Sequence, residues 1–250
     1  MRMTDVAGRI VVSGLTKRFG RVTAVQELSF TAEPGCVTGF LGPNGAGKTT
    51  TLRMLVGLVA ADAGVATIGG SRYAASPAPG RVAGVVLEAA GFYPGRSGRD
   101  HLRVYCTACG YPLSRADEVL ELTGLTEAGR RRVRGYSLGM RQRLALATAL
   151  LGDPSVLILD EPANGLDPEG IAWLRNLLRD YAGRGRTVLF SSHTVPEVEQ
   201  LAERVVIIAS GRLVRAGPLA KFTAVQGGLE RVFLSLTSSG DSPRPGGRPT

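Results

Sequence analysis

Apolar and polar positions over residues 9–33 fit two β segments, GRIVVSGLTKRF and AVQELSFTAE, separated at Phe19-Gly20 and ended by Glu33-Pro34-Gly35. A short apolar run from Cys36 to Leu41 then stops at a glycine cluster, and beyond it Leu52, Leu55, Val56 and Val59 give Lys48–Val59 helical spacing. The local order is therefore strand, glycine-rich loop, helix. Residues 65–73 and 82–88 return to a strand pattern, whereas 97–152 carries helical patterns broken at Tyr111-Pro112, Gly124 and Gly135. Alternation then resumes, with strand 155–160, helix 168–182, strand 187–191, helix 195–203 and strands 204–209 and 212–217. Apolar strands alternating with helices predict an α/β fold with a mostly parallel sheet covered on both faces. To it are added an antiparallel N-terminal β subdomain and a helical insert. A single domain over residues 1–237 is expected, its helical subdomain near 92–152, and the Ser-, Pro- and Gly-rich stretch 238–250 reads as a disordered tail.

Composition narrows the class. With 250 residues, 26.2 kDa and 44% hydrophobic content, the chain has material for a real core, which excludes disorder throughout. No stretch approaches the roughly 18 to 20 apolar residues that cross a bilayer, and MRMTDVAGRI holds no apolar signal core, so a chain made and kept inside the cell is expected. Cys36, Cys106 and Cys109 are too few and too odd in number for a disulfide framework. Cys106 and Cys109 form a lone CxxC, but a structural zinc needs four ligands and the histidines are only His101 and His193, so the pair reads as two small apolar residues on a helix.

Thirty basic residues against twenty-one acidic give a net charge of +9, spread along the chain rather than gathered into a nucleic-acid patch. Only Lys17, Lys48 and Lys221 are lysine, the other 27 basic residues being arginine. A lysine that persists in such a chain points to a chemical requirement.

Gly42-Pro43-Asn44-Gly45-Ala46-Gly47-Lys48-Thr49 fits GxxxxGK(S/T) at every fixed position, between a predicted strand and a predicted helix, and Thr50 follows it. Glycines let backbone N–H groups turn inward around phosphate oxygens, and the helix adds its positive N-terminal end. The expected ligand is a nucleotide polyphosphate and the expected core that of a P-loop NTPase, with Lys48 reaching the β and γ phosphates and Thr49 placing its hydroxyl on Mg²⁺. Further on, Ser155-Val156-Leu157-Ile158-Leu159-Asp160-Glu161-Pro162 is an apolar strand ending in two acids, where an open α/β sheet places ligand chemistry. Asp160 suits Mg²⁺ through water, and Glu161 suits polarising an attacking water. Adjacent acids at such a point also suit a helix cap with surface charge.

These residues resemble the ATP-binding subunit of ABC transporters from about residue 10 to 220. Tyr136-Ser137-Leu138-Gly139-Met140, followed by Arg141-Gln142-Arg143-Leu144, is similar to that family's signature at the start of a helix. Where the family has LSGGQ this chain has YSLGM, keeping Ser137 and Gly139 and placing Leu138 and Met140 at a glycine and a glutamine. Ala163-Asn164-Gly165-Leu166-Asp167 resembles the dimer-contact loop, and Ser191-Ser192-His193 the switch-histidine loop. Glu88 stands where the family has its Q-loop glutamine, and Phe19 where it stacks an aromatic on adenine.

The resemblance implies a dimer of two copies in which Ser137 and Gly139 serve the partner copy's ATP, with Asp167 in the contact loop. It implies that Glu161, His193 and Lys48 carry catalysis, and that Thr49, Asp160 and Glu88 hold Mg²⁺. It also implies a separate transmembrane permease, a place at the cytoplasmic face of the membrane, and no nucleic-acid partner. VLEAAGFYPGRSGRDHL together with YSLGMRQRL resembles the branch of bacitracin- and anthracycline-type exporters, which implies export of a drug, an antibiotic or a lipid-like compound. The alternative is a soluble ABC-type ATPase acting on DNA or ribosomes, but neither a coiled-coil insertion nor a second ATPase domain is seen. Arg130-Arg131-Arg132-Val133-Arg134 lacks interleaved aromatics and reads as a solvated face, with anionic lipid headgroups a further possibility. Trp173, with Ile171, Leu174 and Leu177, reads as helix packing, and His101 is given no role.

Overall fold

The computed structural model describes residues 7–87, 91–224 and 228–237. In chain order the first half runs β1 (Ile10–Phe19), β2 (Val22–Ala32), β3 (Val37–Leu41), α1 (Lys48–Leu55), β4 (Ala63–Ile68), α2 (Pro79–Val82), β5 (Ala83–Val86), α3 (Gly98–Cys109) and α4 (Ser114–Leu122). The second half runs α5 (Leu138–Leu150), β6 (Val156–Leu159), α6 (Pro168–Gly183), β7 (Thr187–Ser192), α7 (Val195–Leu201), β8 (Arg204–Ala209), β9 (Arg212–Pro218), α8 (Ala220–Thr223) and α9 (Gly228–Thr237).

Six strands form one sheet in the order β5-β6-β7-β3-β8-β9, in which only the edge strand β9 runs antiparallel to its neighbour. Because side chains alternate along a strand, the sheet feeds two cores. Leu157, Leu159, Val188 and Phe190 join one with α5, α6 and α7, while Ile158, Leu189 and Phe40 join the other with α1 and the three-stranded antiparallel sheet β2-β1-β4. Burial on both faces is why β3, β6 and β7 read as unbroken apolar runs.

Several boundaries differ from the pattern. The helix expected to reach Val59 ends at Leu55, because Gly57 turns to φ +77 and donates to Met54 O at 3.1 Å, a left-handed helix stop. The strand expected over 65–73 occupies 63–68, and Tyr73–Ala75 is a 3₁₀ turn. The strand expected at 82–88 is cut at its start by α2. The helical insert holds α3, α4 and α5, and its 93–99 and 129–135 loops are laced together by backbone bonds such as Val133 N to Arg96 O at 2.9 Å. The tail expected over 238–250 lies outside the described residues.

Candidate nucleotide site

Strand order positions the chemistry. Leu41 of β3 pairs with Ser192 of β7, and Leu159 of β6 pairs with Phe190, so the loops after three adjacent strands open on one edge of the sheet. The glycine-rich loop follows β3 and is tied to β7 by Gly42 N donating to Ser192 O at 3.2 Å. At Gly47, with φ +96, a side chain is excluded twice over: a Cβ would strike Ala24 O and come within 3.1 Å of Val25 Cγ2. From there α1 begins, its first turn presenting unpaired N–H groups to the loop.

Lys48 is 6% exposed. Its Nζ donates to Gly42 O at 2.7 Å and Pro43 O at 3.3 Å, and lies 3.5 Å from Glu161 Oε1. Thr49 Oγ1 donates to Asp160 Oδ2 at 2.7 Å, joining residues 111 apart in sequence. The other oxygen of that carboxylate, Oδ1, accepts from Ser191 Oγ, and the same hydroxyl accepts from Glu161 N at 3.0 Å. One buried serine thus orients both acids. Glu161 takes φ +49, a left-handed conformation costly for a residue with a Cβ by about 1 to 2 kcal/mol, and the turn that follows is closed by Asn164 N donating to Glu161 O at 3.1 Å. His193 Nδ1 meets Glu161 Oε2 at 2.8 Å, and since a carboxylate only accepts, the proton of this bond sits on Nδ1.

A cavity of about 440 Å³ opens among these groups, lined by Asn44, Lys48, Thr49 and Thr50 of the loop region and by Ala24, Glu161, Asn164 and His193. Lys48, Thr49, Asp160, Glu161 and His193 are therefore brought together. Asn44, Gly45, Gly47 and Thr50 also line the cavity, whereas Phe19, Ser137, Gly139 and Asp167 do not. Phe19, 51% exposed, ends β1 with the Lys17 ammonium 5.3 Å above its ring. Ser137 caps α5 by accepting from Met140 N at 3.2 Å, Gly139 follows it, and Asp167 caps α6 by accepting from Gly170 N at 2.8 Å. Glu88 lies outside the described residues.

A family profile described as ABC transporter matches residues 25–164. The chain belongs to the ABC transporter family. The bacitracin transport ATP-binding protein BcrA of Bacillus licheniformis is 42% identical over 212 residues, 84% of this chain and 69% of that protein. The daunorubicin resistance ATP-binding protein DrrA3 of Streptomyces coeruleorubidus is 38% identical over 243 residues, 95% of this chain and 76% of that protein. The solved structure of an ATP-binding subunit of an ABC transporter superposes with a TM-score of 0.80 at 25% identity, covering 91% of this chain and 98% of the other. A dimeric bacterial ABC transporter cassette shares the fold at a TM-score of 0.75 and 20% identity, covering 84% and 98%. As an ABC cassette the chain binds nucleotide and is an ATPase whose hydrolysis is coupled to transport. Among the described residues no helix is long and apolar enough to cross a membrane.

Three residues at this site have no role of their own in the sequence reading: Ser191 and Asn164, named there only within motifs, and Ala24, not named at all. Ser191 carried a signal, a polar residue ending the apolar strand TVLFSS, and Asn164 sat unassigned within the contact-loop motif. Ala24 carried none, since its role is to bring β2 against the glycine loop.

Proposed function

We propose that this chain powers export of a drug, peptide antibiotic or lipid-like compound, working at the cytoplasmic face of the membrane through a separate transmembrane permease. Relatives named for bacitracin transport and daunorubicin resistance support the substrate class. The observation that carries the enzymatic reading is one cavity lined by Lys48, Thr49 and the Glu161–His193 pair, with Asp160 bonded to Thr49 beside it. A soluble ATPase acting on DNA or ribosomes has no feature of the fold or of these relatives in its favour.

In this reading Lys48 exchanges backbone carbonyls for β and γ phosphate oxygens, and the N–H groups of the loop and α1 hold the rest of the polyphosphate. The Thr49 hydroxyl and Asp160 carboxylate, hard oxygen donors already side by side, fit Mg²⁺, which when bound supplies positive charge against the phosphates. Glu161, oriented by its own strained turn and by Ser191, polarises the attacking water. His193, fixed through Nδ1, offers Nε2 to the γ phosphate. The exposed ring of Phe19 offers a face to adenine. Ser137 and Gly139 stand on another part of the surface, so a second copy completes each site, with Asp167 in the contact. The likeness to a dimeric cassette supports that arrangement.

Glu161→Gln tests the assignment. It keeps the volume but not the base, so turnover should fall by about a hundredfold or more while ATP affinity stays within about twofold. Near-normal turnover, measured by phosphate release beside titration calorimetry, removes Glu161 from that role.

A further inference from the structure

The caps of α5 and α6 sit against each other, and a side chain with no part in the chemistry above joins them. Leu138 opens α5 and is 60% exposed. Its isobutyl group nonetheless lies on the bare backbone of Gly165: a Cβ there would fall 2.5 Å from Leu138 Cγ and nearer still to Cδ2. Gly165 has φ +77, and Gly139 approaches the same loop, where a Cβ would lie 3.5 Å from both Gly165 O and Leu166 Cδ2. Leu166 packs on the larger core, so the seat is fixed from below. One residue before Gly165 stands Asn164, which lines the nucleotide cavity and is hydrogen-bonded to Glu161 O.

We propose that Leu138 is a positioning residue, a strap that fixes the Ser137 turn to the loop carrying Asn164 and Glu161. Through it the hydroxyl offered to the second copy's nucleotide stays in register with the carboxylate that serves this copy's own. The proposal rests on Ser137 acting in the second copy's site. Loss of the isobutyl group leaves the cap itself intact, because Ser137 Oγ still accepts from Met140 N. What disappears is the lateral tether, and displacement of a transition-state donor by about 1 Å is enough to cost orders of magnitude in rate. The side chain is more exposed than buried, so global stability depends little on it.

The assembled transporter, with its permease, is the material for the test. Leu138→Gly and Leu138→Ala should each lower kcat for ATP about tenfold, with ATP affinity within about twofold and the melting temperature within about 2 °C of the parent. Leu138→Met, which refills the volume, should return kcat to within about twofold. Unchanged kcat in both truncations overturns the strap, and so does a loss of kcat that comes only with lost affinity and a lowered melting temperature. Ser137→Ala separates the two layers of inference. If it leaves turnover unchanged, the assignment of Ser137 to the second copy falls and takes the strap with it. If it impairs turnover while the Leu138 truncations do not, the strap alone falls.

Discussion

His101, in the first turn of α3, is 4% exposed, its ring 5.0 Å from those of both Phe92 and Tyr105. Burial, with the Arg96 guanidinium second, pushes its pKa down to about 4. An unfolded chain protonates histidine near pH 6.5, so on acidification the unfolded state takes up the proton first and stability falls as the pH drops from about 6.5 toward 4. By pH 5 the loss from this residue is about 2 kcal/mol. Urea unfolding at pH 7 and pH 5 should show the parent losing about that much more than His101→Phe, and equal losses would discharge His101 from the effect. At this scale the residues gathered at the candidate site were legible because phosphate chemistry demands fixed residue types at fixed spacing, as in Gly42–Thr49. The burial of His101 was not, because it comes from Phe92 and Tyr105 folding over it rather than from any pattern at its own position.

The helical insert shows how one element meets another through a missing side chain. Tyr136, 4% exposed, donates to Ala128 O at 2.7 Å just ahead of the signature turn. Its ring fills the space where Gly98 would carry a Cβ, which would lie 3.1 Å from Cζ and strike the hydroxyl. Tyr136→Phe should cost about 1 kcal/mol, the net worth of one hydrogen bond, since the Ala128 carbonyl still accepts from Arg131 N at 2.9 Å. Gly98→Ala should cost more by overpacking, and the double variant less than the sum of the two, since Phe removes the atom that clashes. Strict additivity in thermal melts would show that the two residues do not share the space. Elements of this kind were legible in type and order, because helical and strand periods differ along the chain. Their ends were less so. α1 ends at Leu55 because Gly57 turns left-handed, a choice made by backbone conformation rather than hydrophobic spacing.

At the scale of the molecule, the sequence announced a mostly parallel sheet but not the order of its strands, because register is settled between segments far apart in the chain. The charge of +9 is visible in places as a solvated face, with Arg130, Arg131, Arg132 and Arg134 exposed around the buried Val133. The strand order β7-β3-β8 carries a consequence for biosynthesis. Val37 of β3 pairs with Val188 and Thr38 with Arg204, so both neighbours of the strand that holds the phosphate loop are made roughly 150 to 170 residues after it. At about 5 to 20 residues per second, that is a wait on the order of ten to thirty seconds. Nascent chains arrested on the ribosome with residues up to Gly183 exposed should yield to protease and retain no fluorescent ATP analogue, while chains exposed through Thr223 should resist and bind. Binding by the shorter chains would mean that β3 is held by something other than its sheet. The glycine loop therefore becomes a nucleotide site only after both flanking strands have emerged, and in that interval the nascent chain must be kept from pairing β3 elsewhere.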